Sequence, residues 1–212
     1  MKVIAINGSP HRDGNTFRAI AVVTGRLNQY GIDTEVLHLG LAGGCTGCYT
    51  CAKTRDCKCC LPDDGVNLFI QKLKEADGVL IGAPVYYADV AGNLKGVLDR
   101  IATVCATNGN LLRHKVGAPL VVARRIGALP AFDTIMHFLA YAEMIIPCSN
   151  NWNTVFGRTP GEVERDLEGM QTLELLGENM AWLLRTISGE TVPKPENQKK
   201  IFVNMIRKES LV

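Results

Sequence analysis

Five apolar runs, scarcely interrupted by polar residues, alternate along the chain with longer amphipathic stretches, and this alternation limits the fold more than any other feature. The runs are Lys2 to Ile6, Thr34 to Leu39, Gly78 to Gly82, Val116 to Ala123 and Ile145 to Ser149. Strands of continuous β-branched and aliphatic residues are covered on both faces, and so belong in a parallel sheet. Between them, helical periodicity predicts helices over Asn15 to Tyr30, closed by Gly31, then over Asp64 to Ala76, Gly92 to Val104 and Leu129 to Glu143. A long last helix is expected from Gly161 to Ile187, with Val163, Leu167, Met170, Leu176, Met180, Leu183, Leu184 and Ile187 recurring on one side. Strand and helix in alternation, joined by right-handed crossovers, give a doubly wound α/β sheet of five parallel strands.

With 212 residues, 47% of them hydrophobic and 21% charged, the chain suits one domain with a full core. A net charge of +2 leaves no footprint for nucleic acid. No run of eighteen apolar residues offers a membrane span. The chain opens directly into the strand-like MKVIAIN, so a cytoplasmic location is expected, where thiols stay reduced and clustered cysteines mean metal or redox chemistry.

About forty residues separate the second and third runs, more than a crossover helix needs, and the surplus carries cysteines. Cys45, Cys48, Cys51 and Cys57 follow the spacing C-x2-C-x2-C-x5-C in CTGCYTCAKTRDC. Three thiolates at every third residue, with a fourth returning soon after, match the ligand pattern of a 4Fe-4S cluster. A tetrahedral zinc site usually joins two C-x2-C knuckles from separated segments, and no second knuckle exists here, which leaves zinc as the lesser alternative. Disulfides are weaker still, with eight cysteines in a chain of this length. Cys59 competes with Cys57 as fourth ligand by lengthening the spacer, and Cys60 is a third choice. One cluster is expected, with Cys105 and Cys148 acting as small buried hydrophobes. Lys53, Arg55 and Lys58 either offset the thiolate charge or form a solvated surface.

A second motif, INGSPHRDGNT from Ile6 to Thr16, joins the first strand to the first helix. A loop there holds free N–H groups at the positive end of a helix dipole, with Ser9, Asn15 and Thr16 as further donors, Arg12 as a charge, and Gly8 and Gly14 allowing a close bend. Walker A and G-x-G-x-x-G are both missing, so a single phosphate monoester fits better than a triphosphate or dinucleotide, the plain alternative being a polar turn with a helix cap. Such ligands sit at the carboxyl ends of strands beside the switch point of the sheet. The third strand ends at the same edge in GAPVYYADVAGNLKGVLDR, where Pro84, Val85, Tyr86 and Tyr87 offer a stiff aromatic wall. The fourth ends in ARRIGALP, where Arg124 or Arg125 can set a positive charge beside a flavin pyrimidine.

Taken together, these motifs resemble those of the iron-sulfur flavoproteins, within the flavodoxin-like NADPH-dependent FMN reductase superfamily. The resemblance runs from MKVIAINGSPHRDGNT through CTGCYTCAKTRDC, the following PDDG and GAPVYYADVAGNLKGVLDR to the last helix. It implies a flavodoxin-like sheet of order 2-1-3-4-5 with a cysteine-rich insertion after the second strand. It implies that Ser9, Asn15, Thr16 and Arg12 hold the FMN phosphate and that Pro84, Val85, Tyr86 and Tyr87 lie along the isoalloxazine; Pro10 in the first loop and Arg125 after the fourth strand are expected to join them on the residues alone. Cys45, Cys48, Cys51 and Cys57 would bind a 4Fe-4S cluster, in a homodimer or homotetramer where the cluster nears a neighbour's flavin. His11 departs from a common arginine, and RRIGALP lacks a glycine-rich run frequent in that place.

The implied chemistry is electron transfer between a low-potential donor, ferredoxin or a transiently bound NAD(P)H, and a small-molecule acceptor such as a quinone or an oxygen species. The carriers do the chemistry, so no catalytic side chains are expected. Two further classes stay open: an NAD(P)H-dependent FMN or quinone reductase without a cluster, and a noncatalytic redox sensor. Residues 1–190 form the expected FMN-binding domain, with the cysteine segment over 43–62. The remainder, 191–212, is expected as an arm in which Ile201, Phe202, Met205 and Ile206 of KKIFVNMIRK share one side, against a partner subunit or its own domain.

Overall fold

The computed structural model describes residues 1–61 and 64–189. The expected arm lies outside the described residues, as does Pro62 at the end of the cysteine segment. Strand β1 (Lys2–Asn7) is followed by α1 (Asn15–Gln29), β2 (Asp33–His38), the short α2 (Thr50–Thr54) and α3 (Val66–Glu75). Then come β3 (Gly78–Tyr86), β4 (Asp89–Val90), α4 (Gly92–Thr107), β5 (Val116–Ala123), α5 (Ala128–Tyr141), β6 (Thr154–Phe156), a 3-10 turn (Glu162–Arg165) and α6 (Leu167–Ser188).

The sheet runs in the order β2-β1-β3-β5-β6 with every neighbouring pair parallel. Its pleat divides the core in two. Val3, Ala5, Leu80, Leu120 and Val155 face α1 and α6, whereas Ile4, Ile6, Ile81, Val121 and Ala123 face α3, α4 and α5. Each fully buried aliphatic side chain contributes about 1.5–3 kcal/mol, and the alternation explains why the strands read as unbroken apolar runs. No helix among the described residues is long and apolar enough to cross a membrane.

The sheet has six strands, not the expected five. The addition is β4, paired antiparallel to the end of β3 across Tyr87 and Ala88. Both turn residues have positive φ, 49° and 64°, the geometry that matches strand twist in a two-residue hairpin. The edge strand also differs: Ile145 to Ser149 forms only a bridge from Ile145 to Val116, and β6 takes the edge instead. Proline is the reason. Ile145 N donates to Lys115 O and Gly117 N to Ile145 O, but the next two rungs would need N–H groups on Pro147 and Pro119, which have none. Asn153 bridges the gap by donating from Nδ2 to Pro119 O, while its carbonyl accepts from Val121 N, and pairing resumes with Thr154. Cys148, expected to be buried, is exposed on the bypassed segment.

Candidate functional site

At the carboxyl ends of β1 and β3 the chain departs to opposite faces of the sheet, leaving a crevice between them. The two ends are tied by Gly8 N donating to Gly82 O at 2.8 Å. A Cβ on Gly8 would lie 2.6 Å from Leu94 Cδ2 and 2.9 Å from Gly82 O, so the approach requires glycine. Beyond it opens a cleft of about 660 Å3. Asn7, fully buried, shapes the loop: its Nδ2 donates to Arg12 O, and its Oδ1 accepts from Ser9 N. Ser9 Oγ in turn accepts from His11 N. Helix α1 starts at this loop after Gly14, with no side chain capping its N–H groups and no acid in its first turn, which leaves its positive end open to an anion.

Ser9, Pro10, Arg12, Asn15 and Thr16 all line the cleft, together with Pro84, Val85 and Tyr86. Asn15 is engaged elsewhere, donating to Thr159 O and accepting from Gly161 N, so its amide braces a neighbouring loop. Tyr87 and Arg125 are not among the lining residues. Tyr87 stands fully exposed at the hairpin tip, and Arg124 takes the place expected of Arg125. The sequence reading missed the loop braced by Asn15, which adds Gly157, Arg158 and Pro160. Glu162 holds that loop by accepting from the N–H groups of Arg158 and Thr159 at 2.7 and 2.8 Å, bonds that keep its carboxyl below the ordinary range. The only signal was Gly-Arg-Thr-Pro-Gly after a three-residue strand. A positive helix end, arginines at the rim and a Pro84–Tyr86 wall suit a flat molecule ending in a phosphate ester.

The cysteine segment lies against α4, where a stripe at four-residue spacing receives it: Gly96, Arg100, Val104 and Asn108. A Cβ on Gly96 would lie 2.9 Å from Gly44 Cα. Asn108 accepts from Cys57 N at 3.0 Å and donates to Cys51 O. Cys45, Cys48, Cys51, Cys59 and Cys60 line one small void of about 20 Å3 with Arg100 and Thr103. Cys57 does not. Its neighbour is Cys105, whose thiol is pushed up to about 12 by burial, with Cys57 adding to the shift, so Cys105 is an inert buried thiol as expected. Cys48 has the opposite character. The Thr50 hydroxyl and N–H bring its thiol down to about 6, favouring the thiolate that binds metals. Cys48 and Cys60 sulfurs are 3.6 Å apart. Among the described residues no three His, Cys, Asp or Glu side chains are placed to hold one metal ion. The thiols surround a volume instead of converging on a point, and Arg100, buried beside them, was invisible as a site residue because an arginine in a helix reads as surface.

The model of the family described as NADPH-dependent FMN reductase matches residues 1–158. An iron-sulfur flavoprotein of Methanocaldococcus jannaschii is 33% identical over 196 residues, covering 88% of this chain and 99% of that protein. An iron-sulfur flavoprotein of Archaeoglobus fulgidus is likewise 33% identical, over 71% of this chain and 75% of its own. Among solved structures, RosB with bound 8-demethyl-8-formylriboflavin-5'-phosphate superposes with a TM-score of 0.72 at 17% identity, covering 99% of this chain and 95% of that one, a likeness of fold.

Proposed function

The chain belongs to the NADPH-dependent FMN reductase family, among its iron-sulfur flavoproteins, and is an FMN-dependent oxidoreductase with a flavodoxin-like fold; from this premise we propose that it couples FMN to a 4Fe-4S cluster. FMN occupies the cleft, its phosphate at the N-terminus of α1 beside Ser9, Thr16 and Arg12, and its ring along Pro84, Val85 and Tyr86. Arg124 and Arg158 add positive charge at the rim. Cys45, Cys48, Cys51 and Cys59 hold the cluster, Cys59 replacing the Cys57 of the initial pattern. Bound flavin supplies a carrier of one or two electrons, and the cluster a carrier of one. The protein orients the ring, fixes the phosphate by main-chain donors, and holds the cysteine segment against α4, with Cys51 buried and Cys45 and Cys48 at the surface. Ferredoxin or NAD(P)H is the donor, and a quinone or an oxygen species the acceptor, in a cytoplasmic homodimer or homotetramer.

The observation that carries the cluster is that five of the six thiols in the segment line one void beside a buried cation. Anaerobic isolation, with FMN, iron and acid-labile sulfide measured and EPR recorded after reduction, tests it. Protein carrying FMN with zinc and no iron or sulfide overturns the cluster. The cleft alone then supports the second reading, an NAD(P)H-dependent FMN or quinone reductase, identified by acceptor reduction that survives Cys48→Ala and is lost on altering Tyr86.

A further inference from the structure

Arg100 lies on the inner side of α4, and its side chain is only 1% exposed. Its Nε donates to Cys59 Sγ at 3.4 Å and its Nη1 to Gly43 O at 3.1 Å. The same Nη1 is paired with the carboxylate of Asp64. Nη2 is buried with no hydrogen-bond partner among the described residues. A guanidinium taken out of water is costly unless its donors are met and its charge is balanced, and here a donor is unmet in the very side chain that lines the thiol void. Purely structural packing of a loop on a helix would be served better by an apolar residue of similar volume. The arrangement fits a void that carries negative charge when filled.

Resting on the cluster reading above, we propose that Arg100 is a positioning residue that sets the reduction potential of the thiol site. Four cysteine thiolates around a 4Fe-4S core carry net negative charge, and that charge grows by one when a single electron enters, with no bond formed or broken. A fixed cation beside Cys59 stabilises the reduced form more than the oxidised form and raises the potential. Asp64 holds the guanidinium from outside the void and offsets part of its charge. Arg100 and Asp64 thus act with opposite signs: removing the cation makes the cluster harder to reduce, and removing the carboxylate makes it easier.

The test is a potentiometric titration of the anaerobically isolated full chain, followed by EPR, with the flavin midpoint in the same sample as internal reference. Arg100→Gln moves the cluster midpoint to more negative values, Asp64→Asn moves it to more positive values, Arg100→Lys falls between Arg100→Gln and the unaltered protein, and the flavin midpoint stays within error. Unshifted cluster midpoints in both Arg100→Gln and Asp64→Asn, or shifts of the same sign, overturn the proposal while leaving the cluster reading intact. Where Arg100→Gln fails to accumulate as folded, FMN-containing protein, Asp64→Asn decides by the sign of its shift. Absence of iron and sulfide from the unaltered protein overturns the cluster reading and the role of Arg100 together.

Discussion

The cleft at the strand ends and the void beside the cysteine segment both present positive groups, yet they are built from different parts of the chain. In the cleft the donors are main-chain N–H groups at the end of α1, and the polar side chains nearby are largely spent on shaping loops: Asn7 on 8–12, Asn15 and Glu162 on 158–161. At the void the groups are side chains, five cysteines on a largely irregular segment and Arg100 on α4. Tyr49, Arg55 and Cys57 there adopt left-handed φ of 53°, 51° and 59° without being glycine. Such residues cost about 1–2 kcal/mol each, so the segment depends on the side chains at α4 that hold it, Asn108 and Arg100. Groups fixed by a sheet and helix end keep their geometry on their own; groups carried on a strained segment depend on what packs against it.

The largest effect comes from the thiols. Cys51→Ala and Cys59→Ala each lose iron, sulfide and the EPR signal while FMN stays bound, whereas Cys57→Ala keeps all three; loss on Cys57→Ala would return the fourth position to that residue. Next is Gly8→Val. The new side chain enters space held by Leu94 and Gly82, costs about 1–3 kcal/mol and lowers both melting temperature and FMN affinity, leaving iron content per folded chain unchanged. Equal loss of iron and FMN would show the two regions to be one cooperative unit. Smaller are Arg12→Ala and Arg158→Ala, exposed charges worth about 1 kcal/mol each, or about fivefold in FMN affinity by fluorescence titration, with the effect shrinking as salt rises.

The smallest concerns pH. The carboxyl of Glu162 is depressed below its ordinary 4.5 by the N–H groups of Thr159 and Arg158, so its bonds support the 158–161 loop above that value and are lost as pH falls through the lower folded value. FMN release between pH 5 and the acid limit, followed by fluorescence, is expected to steepen below about 4.5, a step that Glu162→Gln removes; an identical profile in the variant disconnects this loop from the cleft.

The alternation of apolar runs and amphipathic stretches was enough to locate β1, β2, β3, β5 and the five long helices to within a few residues at most ends, because continuous burial on both faces leaves few other readings. The edge strand was not legible. Ile145 to Ser149 has the composition of a strand, but pairing depends on which partner atoms remain, and Pro119 with Pro147 removes two adjacent donors. In the cleft, Ser9 to Thr16 and Pro84 to Tyr86 were legible because they continue from strong strands. Tyr87 was misread because the next residue, Ala88, shares its left-handed turn, turning the ring outward. Arg158 followed from the mistaken edge. Arg100 has a different cause: helical periodicity places it on the buried side only if a charged residue is allowed there, and the thiols that permit it lie forty or more positions away.

Helix α4 begins two residues after the hairpin strand β4 and carries Arg100 two turns further on. With a rise of about 1.5 Å per residue, the eight steps from Gly92 to Arg100 span about 12 Å. The helix is therefore a spacer of fixed length between the hairpin beside the cleft and the thiols, graduated in turns of about 5.4 Å. Evolution or design can change the interval between the cleft and the thiols within one chain only by whole turns, since any other insertion would rotate Arg100 away from the sulfur atom it faces.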